Sequence, residues 1–412
     1  MSKAVAKNAV VLVASEAFNM ACGVAVVIAL ARALGVADLG LFSFAYSAAT
    51  IIYFASYFGM NDYAIRAVAR DPQKAGSYFY NILVARAVMI VAGILVLDIA
   101  LRAAGYPQGK RTVVYLVMSA RLIESLMFSL FAYFRAFQKM AYEGAIRGSM
   151  YLVSTAASIF VIFRFRDIGA FAVTQLAVYS SFFLVAYMVS SRFVAARSAL
   201  KAFSARECLS LFKGSTHISV IQMLLAVYVQ TNTILLNVFK GDEATGIYAA
   251  GFRFVSVSGV IAISMTQAVF PHLTSIASGN DAARLRHAIA RARKYLFWTA
   301  LAVSAGIFAL APYLIGLVYG PKFKGAVLPL YIMAFTPVFL FLNTGNNYFL
   351  YTLNREKAYL KALLVVLLFA VALNLVLLPR FGAIGAAFTT LVPEALFFAI
   401  LSIMVRRAIR TA

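Results

Sequence analysis

The sequence of 412 residues is short of acids: 14 Asp and Glu stand against 37 Lys and Arg, a formal net charge of +23. It is short of charge altogether, at 12% of residues, about half the share usual in soluble domains. Its two cysteines, Cys22 in an apolar run and Cys208 in a basic stretch, exclude a disulfide framework and a CxxC metal pair. Three histidines, His217, His272 and His287, are scattered at the edges of apolar runs and make no intramembrane His/Asp centre. No GxxxxGK[ST] pattern occurs, which excludes ATP as the direct drive. What fills the chain is apolar: 63% of residues are hydrophobic and the mean hydropathy is +0.88. A water-soluble fold has no core large enough to hide that much surface, so most of the chain must face lipid. A soluble enzyme, a secreted disulfide scaffold and a disordered tail are thereby excluded. Nucleic-acid binding is a poor reading of the positive charge, because almost no soluble surface is left to carry it.

A bilayer core about 30 Å thick needs roughly 20 helical residues per crossing. Apolar runs of that size predict twelve spans, near 8–31, 41–58, 78–101, 112–134, 146–163, 168–190, 215–238, 245–270, 295–318, 326–351, 359–378 and 383–405. Helices are expected because a lipid-exposed backbone must satisfy its own hydrogen bonds. The first run carries Glu16 and Asn19 and is too long for a signal-peptide core, so it is read as an uncleaved span. With the N-terminus placed in the cytoplasm, 24 of the 37 basic residues fall on the inner side, counting Arg147 and Lys361 at the inner ends of their spans, with ten on the outer side and three within span interiors. That asymmetry predicts both termini inside.

The second half echoes the first. Gly35 to Tyr46 and Gly241 to Phe252 both read Gly, four residues, Gly, aliphatic, aromatic, at an offset of 206. Phe165-Arg166-Asp167-Ile168-Gly169-Ala170 pairs with Phe381-Gly382-Ala383-Ile384-Gly385-Ala386 at 216, and Ala141-Tyr142 with Ala358-Tyr359 at 217. Six spans separate equivalent positions, so the halves should insert in the same orientation about a pseudo-two-fold axis along the membrane normal. The expected fold is all-α and polytopic. A six-helix lobe over 1–190 and a second over 215–412 are joined by a basic cytoplasmic linker at 191–214.

Ala31-Arg32-Ala33-Leu34-Gly35-Val36-Ala37-Asp38-Leu39-Gly40-Leu41-Phe42-Ser43 resembles the first-loop signature of the polysaccharide biosynthesis and O-antigen (Wzx-type) flippases, of the multidrug/oligosaccharidyl-lipid/polysaccharide (MOP, MATE-like) exporter superfamily. Gly246 to Arg253, Phe270-Pro271, Leu317 to Phe323 and Asn374 to Ala387 fit the same family, so the likeness runs over essentially the whole chain. These are packing motifs, which identify a fold better than a substrate. The resemblance implies a twelve-helix inner-membrane protein with two six-helix lobes, carrying undecaprenyl-diphosphate-linked glycan to the outer leaflet. Lipid II flippases are similar but usually have fourteen helices.

Ionisable groups inside spans are costly and mark a function by default. The cations are Arg86, Arg121 and Arg253; the acids are Glu16, Asp98, Glu124 and Glu394. Arg121 and Glu124, spaced i, i+3, lie on one helix face and are read either as a self-neutralising pair or as cavity residues. Arg86 and Arg253 have no local partner and are expected to face a central cavity, since guanidinium stays ionised and forks onto phosphate oxygens. The four acids are candidates for coupling to a proton or sodium gradient. Gln230 and Asn232 in the seventh span and Asn343, Asn346 and Asn347 in the tenth are candidate sugar contacts, or helix-to-helix glue. Pro312, Pro329, Pro337 and Pro393 all fall in second-half spans, which predicts that this half bends more during transport.

The expected function is flipping of a lipid-linked oligosaccharide by alternating access, with no cofactor, no metal and no enzymatic activity. The expected partners are that glycan, membrane lipids and polysaccharide polymerase or assembly proteins. The alternative is an ion-coupled multidrug antiporter of the same superfamily, for which a surplus of unpaired arginine is the wrong charge. A membrane-embedded transferase is a more distant alternative.

Overall fold

The computed structural model of the chain describes residues 3–71, 75–192, 204–279, 282–353 and 355–411; the side chains of 3–17, 205–207, 210–218, 278, 282 and 409–411 stand outside that description, as does most of the expected linker. Within these limits every regular element is helical. In chain order they are α1 (Lys3–Leu34), α2 (Val36–Tyr57), α3 (Met60–Arg70), α4 (Ala75–Ala103), α5 (Gln108–Ala136), α6 (Met140–Phe165), α7 (Ile168–Ser191), α8 (Ala205–Ser278), α9 (Ala282–Tyr319), a 3-10 turn (Pro321–Ala326), α10 (Val327–Met333), α11 (Thr336–Thr352) and α12 (Glu356–Thr411). Among the described residues eight helical stretches are long and apolar enough to cross a bilayer, and the bent pair of α10 with its 3-10 turn and α11 makes a ninth. Two of these long stretches are each a pair of helices joined at a non-helical glycine, Gly241 in α8 and Gly382 in α12. With each arm taken as a crossing and α1 added, the chain is consistent with twelve.

The internal repeat is written in the backbone. Gly35 (φ 105, ψ −165) and Gly241 (φ 75, ψ −169) both pair a positive φ with an extended ψ, a region open essentially to glycine alone. At the second echo Arg166 (φ 50, ψ 39) and Gly382 (φ 55, ψ −128) share a positive φ but not ψ. A third pair, Gly105 (φ 68) and Gly320 (φ 86), precedes Pro107 and Pro321 and is not evident from composition alone. Asp167 caps α7 by accepting the Ala170 N–H at 2.6 Å.

Two elements differ from the sequence-based expectation. The predicted tenth span breaks by 50° between α10 and α11. Pro337 sits at the start of α11; its ring would clash with the carbonyl of Met333, four residues back, where α10 ends. Residues 60–70, expected to be a connection, form α3, with Met60, Ala64 and Val68 buried along one face.

The pattern of burial is that of a lipid-facing helix. On α4, Ile82, Arg86 and Ile90 form the inward stripe, whereas Val88, Val91, Leu95 and Ile99 stand exposed on the outward one. An exposed face built of valine and isoleucine is unfavourable in water and normal in lipid. By contacts the chain divides into two compact units, Met1–Ala226 and Val227–Ala412. In the first, α5 packs against α2, α3, α4, α6 and α7, around Met127, Phe131, Tyr133, Phe134, Phe79 and Met150. In the second, α11 packs on α9 and α12, and Leu236, Tyr248 and Val255 of α8 pack with Met333, Leu378 and Ala386.

Candidate functional site

The first unit holds a fully buried cation. The stripe that points α4 inward carries Arg86 between Tyr53 and Tyr57 of α2, with ring centroids 5.8 and 5.5 Å from its guanidinium carbon. One terminal nitrogen donates to the Ser125 carbonyl at 2.9 Å and to Ser129 Oγ at 2.5 Å; the other donates to Ser125 Oγ. Ser125 and Ser129 are spaced i, i+4 and so share one face of α5. Among the described residues no carboxylate pairs with Arg86, and its Nε has no hydrogen-bond partner. The Tyr57 hydroxyl donates onward to Asp62 of α3 at 3.0 Å.

Arg121 lies beside this group, over Tyr46 at 5.0 Å and over Tyr53 at 5.3 Å. Unlike Arg86 it is neutralised, by a short ion pair to Glu124, whose second oxygen accepts the Tyr151 hydroxyl. Asp98 is paired too, with Arg102 at 2.9 Å and with the Tyr115 hydroxyl. The side chain of Glu16 lies outside the described residues. A further buried acid, Glu143, is held by Arg135 at 2.6 Å with Arg147 at 3.7 Å. In sequence these three look like ordinary members of a cytoplasmic basic segment, because the eight residues from Arg135 to Glu143 span a helix break. Tyrosines that frame the arginines were equally hard to single out among 22 of them.

The second unit is the electrical opposite. Glu394 of α12 accepts the Tyr228 hydroxyl at 3.0 Å on one oxygen and the Asn343 amide at 2.6 Å on the other. One turn earlier on α12, Thr390 accepts from Asn232 at 2.9 Å and meets the Tyr248 hydroxyl at 2.9 Å, while Asn374 donates to Asn232 at 2.7 Å. The remaining residues singled out in the sequence are dispersed. Asn346 accepts from Arg293 of α9 at 2.6 Å and donates to Ser402 at 3.3 Å. Asn347 is half-buried with an unpartnered Oδ1, Gln230 is half-buried, and Arg253 is half-buried in the second arm of α8 with an unpartnered Nε. The structure therefore gathers Arg86 with Arg121 and Glu124 in one unit, and Glu394 with Asn343 in the other. Among the described residues no group of three or more His, Cys, Asp or Glu could hold a metal.

The fold is similar to those of solved transporters of the MOP superfamily. An inward-facing multidrug resistance MATE family transporter superposes with a TM-score of 0.72 at 16% identity, over 96% of each chain. The lipid II flippase MurJ, in an inward closed conformation, superposes at 0.74 with 14% identity, over 96% of this chain and 87% of that one. Within this class the chain belongs to the polysaccharide biosynthesis protein family, whose model matches residues 5–277. A relative, the probable low-salt glycan biosynthesis flippase Agl15 of Haloferax volcanii, is 22% identical over 207 residues, 50% of this chain. That match spans 43% of the relative, under half its length. The protein is thus a multi-pass membrane protein with a probable flippase among its relatives.

Proposed function

We propose that the chain flips an undecaprenyl-diphosphate-linked oligosaccharide, an O-antigen or other surface-polysaccharide repeat unit, across the inner (plasma) membrane by alternating access, with both termini in the cytoplasm. It is a transporter rather than an enzyme, handing its cargo to polysaccharide polymerase and assembly proteins on the far side. The observation that carries this reading is Arg86, a fully buried guanidinium with no carboxylate partner among the described residues. An uncompensated charge in a low-dielectric interior is expensive, and a transporter of anionic cargo is a setting in which it is retained for use. Ser125 and Ser129 occupy its donors in the present arrangement. A diphosphate would offer the same N–H groups ionised acceptors, which bond about twice as strongly as neutral ones. Tyr53 and Tyr57 suit the task as well, since their faces hold the cation in place while no anion is bound. A multidrug antiporter handling cationic cargo would want a free acid beside these cations, whereas Glu124, the acid next to them, is paired with Arg121.

The test is genetic and chemical. Loss of the gene should leave lipid-linked glycan accumulating on the cytoplasmic leaflet and remove the corresponding surface polysaccharide. Normal surface polysaccharide, with no accumulation, would sink the reading.

A further inference from the structure

Of the acids that the sequence offers for ion coupling, Asp98 and Glu124 are neutralised by Arg102 and Arg121. Glu394 is different. Its side chain is buried, and no Lys, Arg or His pairs with it among the described residues. Its partners are neutral donors, the Tyr228 hydroxyl and the Asn343 amide. Asn343 is itself buried, and its Oδ1 has no hydrogen-bond partner. An orphaned acceptor thus sits on the same amide that donates to the carboxylate.

We propose that Glu394, Asn343 and Tyr228 form a proton-binding site in the second unit, filled and emptied once per transport cycle. This rests on the flippase reading only for the cargo that the proton drives; the site itself stands on its geometry. A proton from solvent adds to the carboxylate oxygen facing Asn343. The amide turns over, and its Oδ1 accepts the new O–H where its N–H donated before, an exchange an asparagine makes within one outline. The turn also breaks the bond that the same amide nitrogen donates to the Glu394 backbone carbonyl at 3.0 Å, and release reverses all of these moves. A hard metal ion is the poorer occupant. It asks for about six oxygen ligands, and here two of the nearest groups present N–H and O–H.

Among the described residues the surroundings hold no competing charge. From α8 the titratable neighbour is Tyr228, with Tyr248 beyond it on Thr390. From the first arm of α12 it is Tyr359, which packs on Phe397. Tyr331 of α10 is turned to Phe308 instead. Arg293 of α9 reaches Asn346, one turn along α11 from Asn343, and is bound there. Protonation of Glu394 therefore removes a buried charge that no described residue offsets, and so shifts whichever arrangement buries it.

The full chain reconstituted in lipid vesicles and followed by infrared difference spectroscopy across pH tests the site without any cargo. A carboxylic-acid carbonyl band that appears on acidification should be lost in Glu394→Gln and kept in Glu124→Gln. Asn343→Leu, which removes the acceptor, should shift that band. If the band survives Glu394→Gln, or if sodium at fixed pH discharges it, the proposal is overturned. A correctly assigned band in a protein that moves no lipid-linked glycan would overturn the cargo and leave the proton site standing.

Discussion

Removing one partner of the Arg121–Glu124 pair should have sharply unequal effects, depending on which is removed. Glu124 is almost wholly enclosed, with 3% of its side chain exposed against 19% for Arg121. In Arg121→Gln the carboxylate keeps one bond, from Tyr151, and no counter-charge. Stranding a buried charge in this way costs about 3–5 kcal/mol. In Glu124→Gln the guanidinium keeps the faces of Tyr46 and Tyr53 and its partial exposure, so the loss is at most that of one charge-assisted hydrogen bond, about 1.5–3 kcal/mol. The double variant strands nothing, and a Gln–Gln contact can retain the Tyr151 bond. It should therefore recover about 2–3 kcal/mol relative to the sum of the single changes. Reversible unfolding in mixed micelles, run as a double-mutant cycle, measures all three. Equal single effects, or strict additivity, would refute the view that this pair is a self-contained neutral unit and that Arg86 is the cation left over.

The backbone repeat predicts that Gly35→Ala and Gly241→Ala each lower stability by about 1–3 kcal/mol, since both glycines occupy a φ/ψ region that a Cβ disfavours; an unchanged unfolding midpoint in either contradicts it. Gly385→Ala should be far worse than Gly345→Ala. A Cβ at 385 would lie 2.6 Å from the Leu377 carbonyl oxygen, fixed backbone, whereas at 345 it meets the movable tip of Leu296 at 2.6 Å; membrane yield and thermal stability of the two variants report the order. The proposed orientation predicts that a cysteine placed at Lys357 stays unlabelled by a membrane-impermeant thiol reagent in intact cells and reacts after lysis; labelling in intact cells reverses it.

Features encoded locally were legible before the structure. Continuous apolar runs gave the helices, glycine at 35 and 241 marked equivalent turns, and the i, i+3 spacing announced the Arg121–Glu124 pair. Features made by distant partners were not. Arg86 reads in the sequence as an unpaired cation, yet its hydrogen bonds come from Ser125 and Ser129, 39 and 43 residues away. Glu394 and Tyr228 are 166 residues apart, and nothing local separates Glu394 from the neutralised acids. The break before α11 was signalled by Pro337, but a proline inside an apolar run is as easily read as a kink. The helix α3 was hidden by its charges, which count toward a loop in any topology tally.

The central claim is that Arg86 serves an anionic, lipid-linked cargo. Its most direct test is leaflet transfer of a fluorescent undecaprenyl-diphosphate-linked sugar in vesicles reconstituted with purified chain. Wild type should move the probe; Arg86→Ala, folded and present at equal density, should not; Arg86→Lys, which keeps the charge but loses the fork, should retain part of the rate. Transfer by Arg86→Ala at the wild-type rate would contradict the account.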